Sequence, residues 1–207
     1  IKTQKATSIS GIPYSFEILK KLRFFNMDFP YLKTITQAGG KLNDDLNLEF
    51  SEFCKKAGKR FIVMYGQTEA TARMSYLPFE HSITKLGSMG IAIPGGEFSL
   101  IDENRNIIIK PEREGELVYK GKNVSMGYAV CREDLARGDE NNGILVTGDL
   151  AKRDKDGFYY IVGRKKRFIK IYGHRMNLDE TERILKSIIP DCACSGEDDL
   201  MEIYITQ

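Results

Sequence analysis

The 207 residues carry 31 Lys and Arg against 29 Asp and Glu, a net charge of +2, with 42% hydrophobic and 10% aromatic residues. Such a composition suits one or two globular domains with a real core, and it gives no reason to invoke nucleic acid or an anionic membrane. The four cysteines, at 54, 131, 192 and 194, form no Cys-x-x-Cys pair and have no His beside them, which argues against a cysteine metal site and suits reduced thiols. No apolar run approaches membrane-spanning length and no signal-like order opens the chain, so the expectation is a cytoplasmic protein without a membrane span.

Pro13, after Gly11-Ile12, suits the first turn of a helix whose apolar face is Phe16, Ile18, Leu19 and Leu22. Residues 32–36 read as a short buried strand ended by Gly39-Gly40. Residues 42–56 have helical spacing at Leu46, Phe50, Phe53 and Cys54, and 61–65 read as a second buried strand. Strand, glycine turn, helix and strand make an α/β unit, in which ligands gather outside the carboxyl ends of strands. Gly39-Gly40 and Tyr65-Gly66 mark two such ends. From Gly87 the texture changes to short alternating segments: 97–101, 106–109 and 115–119 read as strands, with Asn142-Gly143 and Asp156-Gly157 as hairpin turns. Further on, 168–171 reads as a strand with a tight turn at Gly173. Residues 177–188 read as a helix capped by Asn177 or Asp179, with Ile184, Leu185 and Ile188 as its buried stripe. Residues 192–194 and 202–205 read as two strands, the first with both cysteines on one face.

Two clusters carry chemistry. Asp149 and Arg164 stand at the two ends of one predicted hairpin. An exposed carboxylate there can accept from two neighbouring ribose hydroxyls, and a guanidinium can donate to the same sugar or its phosphate. Upstream, Tyr65-Gly66-Gln67-Thr68-Glu69 offers a ring to stack on a base, a glycine for close backbone approach, a hydroxyl for phosphate and a carboxylate for Mg²⁺. Taken singly, each also fits a surface hairpin with an ion pair or a strand with a polar turn. The basic run Arg164, Lys165, Lys166, Arg167 and Lys170 is interleaved with Phe168, Ile169 and Ile171, which favours strand and linker over a nucleic-acid patch.

Thr147-Gly148-Asp149, Gly163-Arg164-Lys165-Lys166 and the upstream Tyr65-to-Glu69 motif, in this order, resemble the adenylate-forming superfamily of acyl-CoA synthetases, luciferases and peptide-synthetase adenylation domains. The resemblance implies an α/β plus β fold class. Residues 1–86 would be the α/β part of a large adenylating N-domain and 87–165 its small barrel-like β-subdomain, with 166–207 starting a small α+β C-terminal domain. It implies that Asp149 holds the ribose hydroxyls, Arg164 contacts the nucleotide and Tyr65 stacks on adenine, with Gly66 beside it. Gly39 and Gly40 take the place of the adenine-side glycine loop. Thr68 would meet the α-phosphate and Glu69 would bind Mg²⁺, both as catalytic residues. Lys166 falls at the hinge between domains, and Gly173 on the loop that approaches a pantetheine arm. Gly115-Glu116-Leu117 through Gly127-Tyr128 resembles a glycine-flanked strand motif of the family and is read as scaffold.

The activity so implied is that of an ATP-dependent acid–thiol ligase. It forms an acyl-adenylate from a carboxylic acid, ATP and Mg²⁺, then transfers the acyl group to CoA or to the phosphopantetheine of an acyl carrier protein. Two family motifs are not found in the sequence: the glycine-rich phosphate loop with its lysine, which nothing in 1–30 resembles, and the late lysine used in adenylate formation. The expectation is therefore a segment of a larger synthetase, inactive alone. An AMP-binding or interaction module without turnover is the alternative. The acid is not specified by sequence; Arg73 could pair with a second substrate carboxylate or form a surface ion pair.

Overall fold

The computed structural model describes residues 3–206 and contains three groups of strands. The first is a five-stranded sheet in the order β1 (Ser8–Gly11), β2 (Thr34–Gln37), β3 (Arg60–Tyr65), β4 (Ser75–Tyr76) and β5 (Ile91–Ala92). β1, β2 and β3 run parallel, while β4 and β5 pair antiparallel. Parallel neighbours need crossovers, which here are α1 (Pro13–Lys21) and α2 (Asp44–Lys56). Asn43 caps α2 by accepting from the N–H groups of Asp45 and Leu46, and acidic Asp44-Asp45 and basic Lys55-Lys56 complement its dipole. Between the helices and the sheet Phe16, Phe24, Ile35, Phe50 and Phe61 are fully buried, with the Phe16 and Phe50 rings edge to face at 4.9 Å.

The expected strand–helix–strand unit is present, with two corrections. β1, unread in the sequence, joins the sheet beside β2. Leu22 lies beyond the last turn of α1 as its C-cap and is 57% exposed, so the apolar face ends with Leu19.

The second group is an antiparallel sheet in the order β6 (Glu97–Ile101), β7 (Glu114–Lys120), β8 (Ile144–Arg153) and β9 (Tyr159–Arg164). Its buried face carries Phe98, Leu100, Leu117, Tyr119, Ala151 and Tyr159. Residues 106–109 do not form the expected strand. Asp102 accepts from the N–H groups of Asn104 and Asn106 and tightens the turn, so only Ile107 bridges back to Ile101. Asn142 and Gly143 both have positive φ, but they close a long excursion, 121–143, rather than a two-residue hairpin.

Gly90 joins the two sheets. Its carbonyl accepts from the N–H of Tyr159 at 3.0 Å, the N–H of Met89 donates to Tyr159 O at 2.9 Å, and Ser88 Oγ donates to the same oxygen at 2.8 Å. With φ at +88°, a Cβ at this position would stand 1.9 Å from the carbonyl oxygen of Tyr76. Only glycine fits.

The third group follows the 3-10 turn Lys165–Arg167. β10 (Phe168–Ile171) and β11 (His174–Asn177) form a hairpin through Tyr172-Gly173, both at positive φ as a two-residue turn of this kind requires. α3 (Leu178–Leu185) then packs on the hairpin of β12 (Cys192–Glu197) and β13 (Leu200–Ile205). β11 occupies part of what the sequence suggests is loop, and α3 is shorter than expected. Asn177, not Asp179, is its cap, accepting from the N–H groups of Asp179 and Glu180 while its amide donates to Val162 O. The buried contacts come from Leu178 and Leu185 against Ile169, Cys194 and Met201; Ile184 and Ile188 are exposed, so of the predicted stripe only Leu185 packs.

Candidate functional site

The carboxyl ends of β2 and β3 lie side by side, and the chain leaves both through tight turns. After β2, Gly39 and Gly40 take φ of +81° and +152°, and the buried Gln37 donates to Gly40 O at 2.7 Å to hold the loop. After β3, Thr71 and Ala72 both adopt left-handed backbone, reversing the chain so that Met74 N–H donates to Tyr65 O at 2.9 Å. The reversed segment presses on Gly66, where a Cβ would lie 2.5 Å from Ala72 O. Two non-glycine residues held at positive φ mark a segment fixed by its surroundings.

β8 brings Asp149 to the same place. The Tyr65 hydroxyl donates to Asp149 Oδ2 at 2.5 Å, and Gln67 Nε2 donates to that oxygen at 2.9 Å and to Thr147 O at 3.0 Å. Asp149 and Arg164 are register partners across β8 and β9, with Arg164 Nε 3.3 Å from Oδ1. Asp149 is only 4% exposed. This corrects the expectation of an exposed hairpin carboxylate; the exposed member is Arg164, whose side chain is 70% accessible. Burial and then the neighbouring Asp149 charge push the Tyr65 hydroxyl well above the usual tyrosine range, so it stays a donor at neutral pH.

Thr68 and Glu69 lie on the short 3-10 turn Thr68–Ala70, with Thr68 exposed and Glu69 half-buried. The Tyr128 hydroxyl donates to Glu69 Oε1, and that bond holds the Glu69 carboxyl below its ordinary range. Gly39, Gly40, Tyr65, Gly66, Thr68, Glu69, Asp149 and Arg164 all line one cleft of about 1000 Å³. Lys166 and Gly173 do not: Lys166 sits in the turn linking β9 to β10, and Gly173 at the tip of the β10–β11 hairpin. Arg73 is half-buried, lines the cleft and forms no ion pair among the described residues, contrary to the surface ion pair considered for it.

Sequence reasoning missed Gln67, the variable place in its motif, and Tyr128, read as scaffold. Neither contact has a local signal, since their partners stand 82 and 59 residues away. Arg167 has a structural role: its guanidinium binds Asp179 at 2.7 Å, Glu182 at 3.2 Å and Cys194 O at 2.7 Å, clamping α3 to β12.

The fold and the cleft together define an adenylate-forming architecture. A family model described as AMP-binding enzyme matches residues 1–129, and the chain belongs to that family, within the adenylate-forming superfamily. A long-chain-fatty-acid–CoA ligase of Escherichia coli O6:H1 is 33% identical over 183 residues, covering 86% of this chain and 31% of that protein. A 2-succinylbenzoate–CoA ligase of Bacillus cereus is 35% identical over 136 residues, 66% of this chain and 28% of that protein. The chain thus spans less than a third of the length of these curated relatives. Among solved structures, the O-succinylbenzoate coenzyme A synthetase MenE of Bacillus subtilis in complex with ATP and magnesium superposes with a TM-score of 0.77 at 27% identity, covering 98% of this chain and 42% of that one. The same synthetase in complex with AMP gives 0.76, also at 27% identity, covering 98% and 41%.

Proposed function

We propose that the chain is the nucleotide-binding segment of an ATP-dependent acid–thiol ligase, which converts a carboxylic acid to an acyl-adenylate and passes the acyl group to CoA or a carrier-protein phosphopantetheine. The observation that carries this reading is the meeting of Tyr65, Thr68, Glu69, Asp149 and Arg164 around one cleft with the Gly39-Gly40 loop on its rim. The relatives' names, all acid–CoA ligases, support it.

In this reading Asp149 accepts from the ribose hydroxyls, with Tyr65 and Gln67 fixing the carboxylate so that no reorganisation is needed when the sugar arrives. Tyr65 presents its ring to adenine along the Gly39-Gly40 side, Gly66 lets the backbone approach, and Arg164 adds charge from the exposed side of Asp149. Thr68 donates to the α-phosphate. Glu69 suits Mg²⁺ because it is a half-buried hard oxygen donor beside an exposed hydroxyl, and magnesium commonly takes one or two protein carboxylates together with phosphates and water. The cation would supply charge stabilisation at the phosphoryl oxygens. The division at 86/87 and 165/166, a hinge at Lys166 and a pantetheine-facing loop at Gly173 belong to the same proposal, as does a cytoplasmic location.

The test is carboxylate-dependent ATP–pyrophosphate exchange by the full-length polypeptide, with a panel of fatty, aromatic and dicarboxylic acids and with CoA or carrier protein added in a second stage. Exchange followed by thioester formation is expected. AMP binding without exchange for any acid would assign a nucleotide-binding module instead. The 207-residue chain alone is expected to bind AMP weakly and to give no exchange, because no glycine-rich loop in it resembles one that holds the β- and γ-phosphates.

A further inference from the structure

The excursion 121–143 leaves the four-stranded sheet after β7 and returns at β8, and its middle reaches Glu69, which lines the cleft. Ser125 N–H donates to Glu69 O at 2.7 Å, and three residues later the Tyr128 hydroxyl donates to Glu69 Oε1 at 2.5 Å. The returning arm braces this segment: Asn141 Nδ2 donates to Ser125 O at 2.7 Å, and Glu140 N–H donates to Met126 O at 2.7 Å. Gly127, at φ +149°, packs so closely on Glu140 that a Cβ would stand 2.8 Å from its carboxylate. The strap is therefore tied at Glu69 on one side and at 140–141 on the other.

Tyr128 is 71% exposed, so core packing does not explain where its ring lies. Its hydroxyl is spent on a single oxygen of Glu69, and among the described residues no other side chain is hydrogen-bonded to that carboxylate. A donor on Oε1 fixes the carboxylate plane and leaves Oε2 without a side-chain partner. Carboxylates that ligate metals are themselves oriented by such hydrogen bonds, and losing one commonly weakens metal binding by about 10- to 100-fold.

We infer that Tyr128 is a positioning residue for a divalent cation on Glu69, and that the 121–143 strap serves to deliver it. The inference rests on the reading of Glu69 as the magnesium carboxylate. Tyr128 touches neither nucleotide nor acid in this assignment; it acts through Glu69.

The experiment uses the full-length polypeptide with Mn²⁺ in place of Mg²⁺. Electron paramagnetic resonance follows Mn²⁺ binding to the ATP complex, and calorimetry follows AMP binding in metal-free buffer. Tyr128→Phe is expected to raise the half-saturating Mn²⁺ concentration by about tenfold or more, as Glu69→Gln does, with AMP affinity unchanged within about twofold. An exposed ring that loses one oxygen leaves the fold intact, and circular dichroism checks this. If Glu69→Gln weakens Mn²⁺ binding while Tyr128→Phe does not, the positioning role is overturned and the reading of Glu69 stands. If Glu69→Gln has no effect, both fall together. Equal loss of Mn²⁺ and AMP affinity in Tyr128→Phe would make the tyrosine a general structural prop and would equally overturn the inference.

Discussion

Tyr65 and Asp149 stand 84 residues apart in sequence, yet the tyrosine hydroxyl lies 2.5 Å from Asp149 Oδ2 and joins the five-stranded sheet to the four-stranded one where both residues line the cleft. The aspartate is consequently both a candidate ligand for ribose and a buried acceptor on which two other side chains depend. Replacing it probes two effects at once.

Asp149→Ala removes the acceptor of Tyr65 and Gln67 together, and a buried donor left unmatched costs about 1–3 kcal/mol. The ion pair with the exposed Arg164 adds little to that. Asp149→Asn retains one acceptor oxygen and should lose about half as much. Both variants are expected to weaken AMP binding by about tenfold or more, since hydrogen bonds to a charged group are worth roughly 1.5–3 kcal/mol. Urea unfolding beside calorimetric AMP titration separates the two losses; an Asp149→Asn protein with full AMP affinity would remove this residue from the nucleotide site.

Gly90 and Gly95 form a matched pair, with φ of +88° and +83°. A Cβ on Gly95 meets nothing within 4 Å, whereas one on Gly90 strikes the Tyr76 carbonyl. Gly95→Ala is expected to cost only the left-handed backbone penalty, about 1–2 kcal/mol. Gly90→Ala must also push β4 from β9 and should lose at least about 2 kcal/mol more, on the scale of overpacking a tight interior. Equal urea midpoints for the two variants would show that the junction between the sheets yields easily.

The sequence disclosed the elements better than their ends. Apolar spacing located Phe50 and Cys54 on α2, but on α1 and α3 the same periodicity ran past the helix at Leu22 and Ile188, and Ile184, inside α3, lies on its exposed face. Residues 106–109 read as a strand within a stretch of short alternating segments; only Ile108 packs, and Asp102 takes the N–H groups of Asn104 and Asn106. β1 went unread since Ser8–Gly11 is polar and its reason to exist is the long-range pairing with β2. That Tyr65, Thr68, Glu69, Asp149 and Arg164 would gather at one cleft was legible because they stand in motifs that follow one another in one order. Asp149's burial and the Glu69–Tyr128 bond were not legible, because each depends on a side chain delivered from a distant element.

Asp154 gives the hairpin a pH dependence. Its Oδ1 accepts from the N–H groups of Asp156 and Phe158, and Lys85 Nζ donates to its Oδ2 at 2.8 Å. Burial pushes its carboxyl up, but the Lys85 hydrogen bond and charge and these N–H donors outweigh burial and hold it below the ordinary range. The unfolded chain, with an aspartate near about 3.9, therefore binds the proton more readily than the folded one. Stability from this group is complete at neutral pH and is lost as pH falls below about 4. Asp154→Asn should lower the melting temperature at about pH 7 and much less at about pH 2.5; the same deficit at both pH values would rule out the carboxylate charge as its source.

Lys166 is exposed in the turn between β9 and β10. Its neighbours are tied in opposite directions. Lys165 Nζ donates to Glu116 on β7 at 2.7 Å, while Arg167 is held by Asp179 and Glu182 of α3. Lys166 lies between those anchors with no side-chain partner among the described residues, and under the proposed hinge a change in its φ and ψ would rotate one group of strands against the other. Proline at this place fixes φ near −65° and restricts Lys165 before it, so the proposed rotation would be blocked. In the full-length polypeptide Lys166→Pro is expected to leave pyrophosphate exchange within about threefold of wild type and to cut thioester formation by about 100-fold, the scale on which misplacing reacting groups acts. Both rates are measured on one preparation. Equal loss in the two half-reactions would mean that the turn holds the active fold together without serving as a hinge.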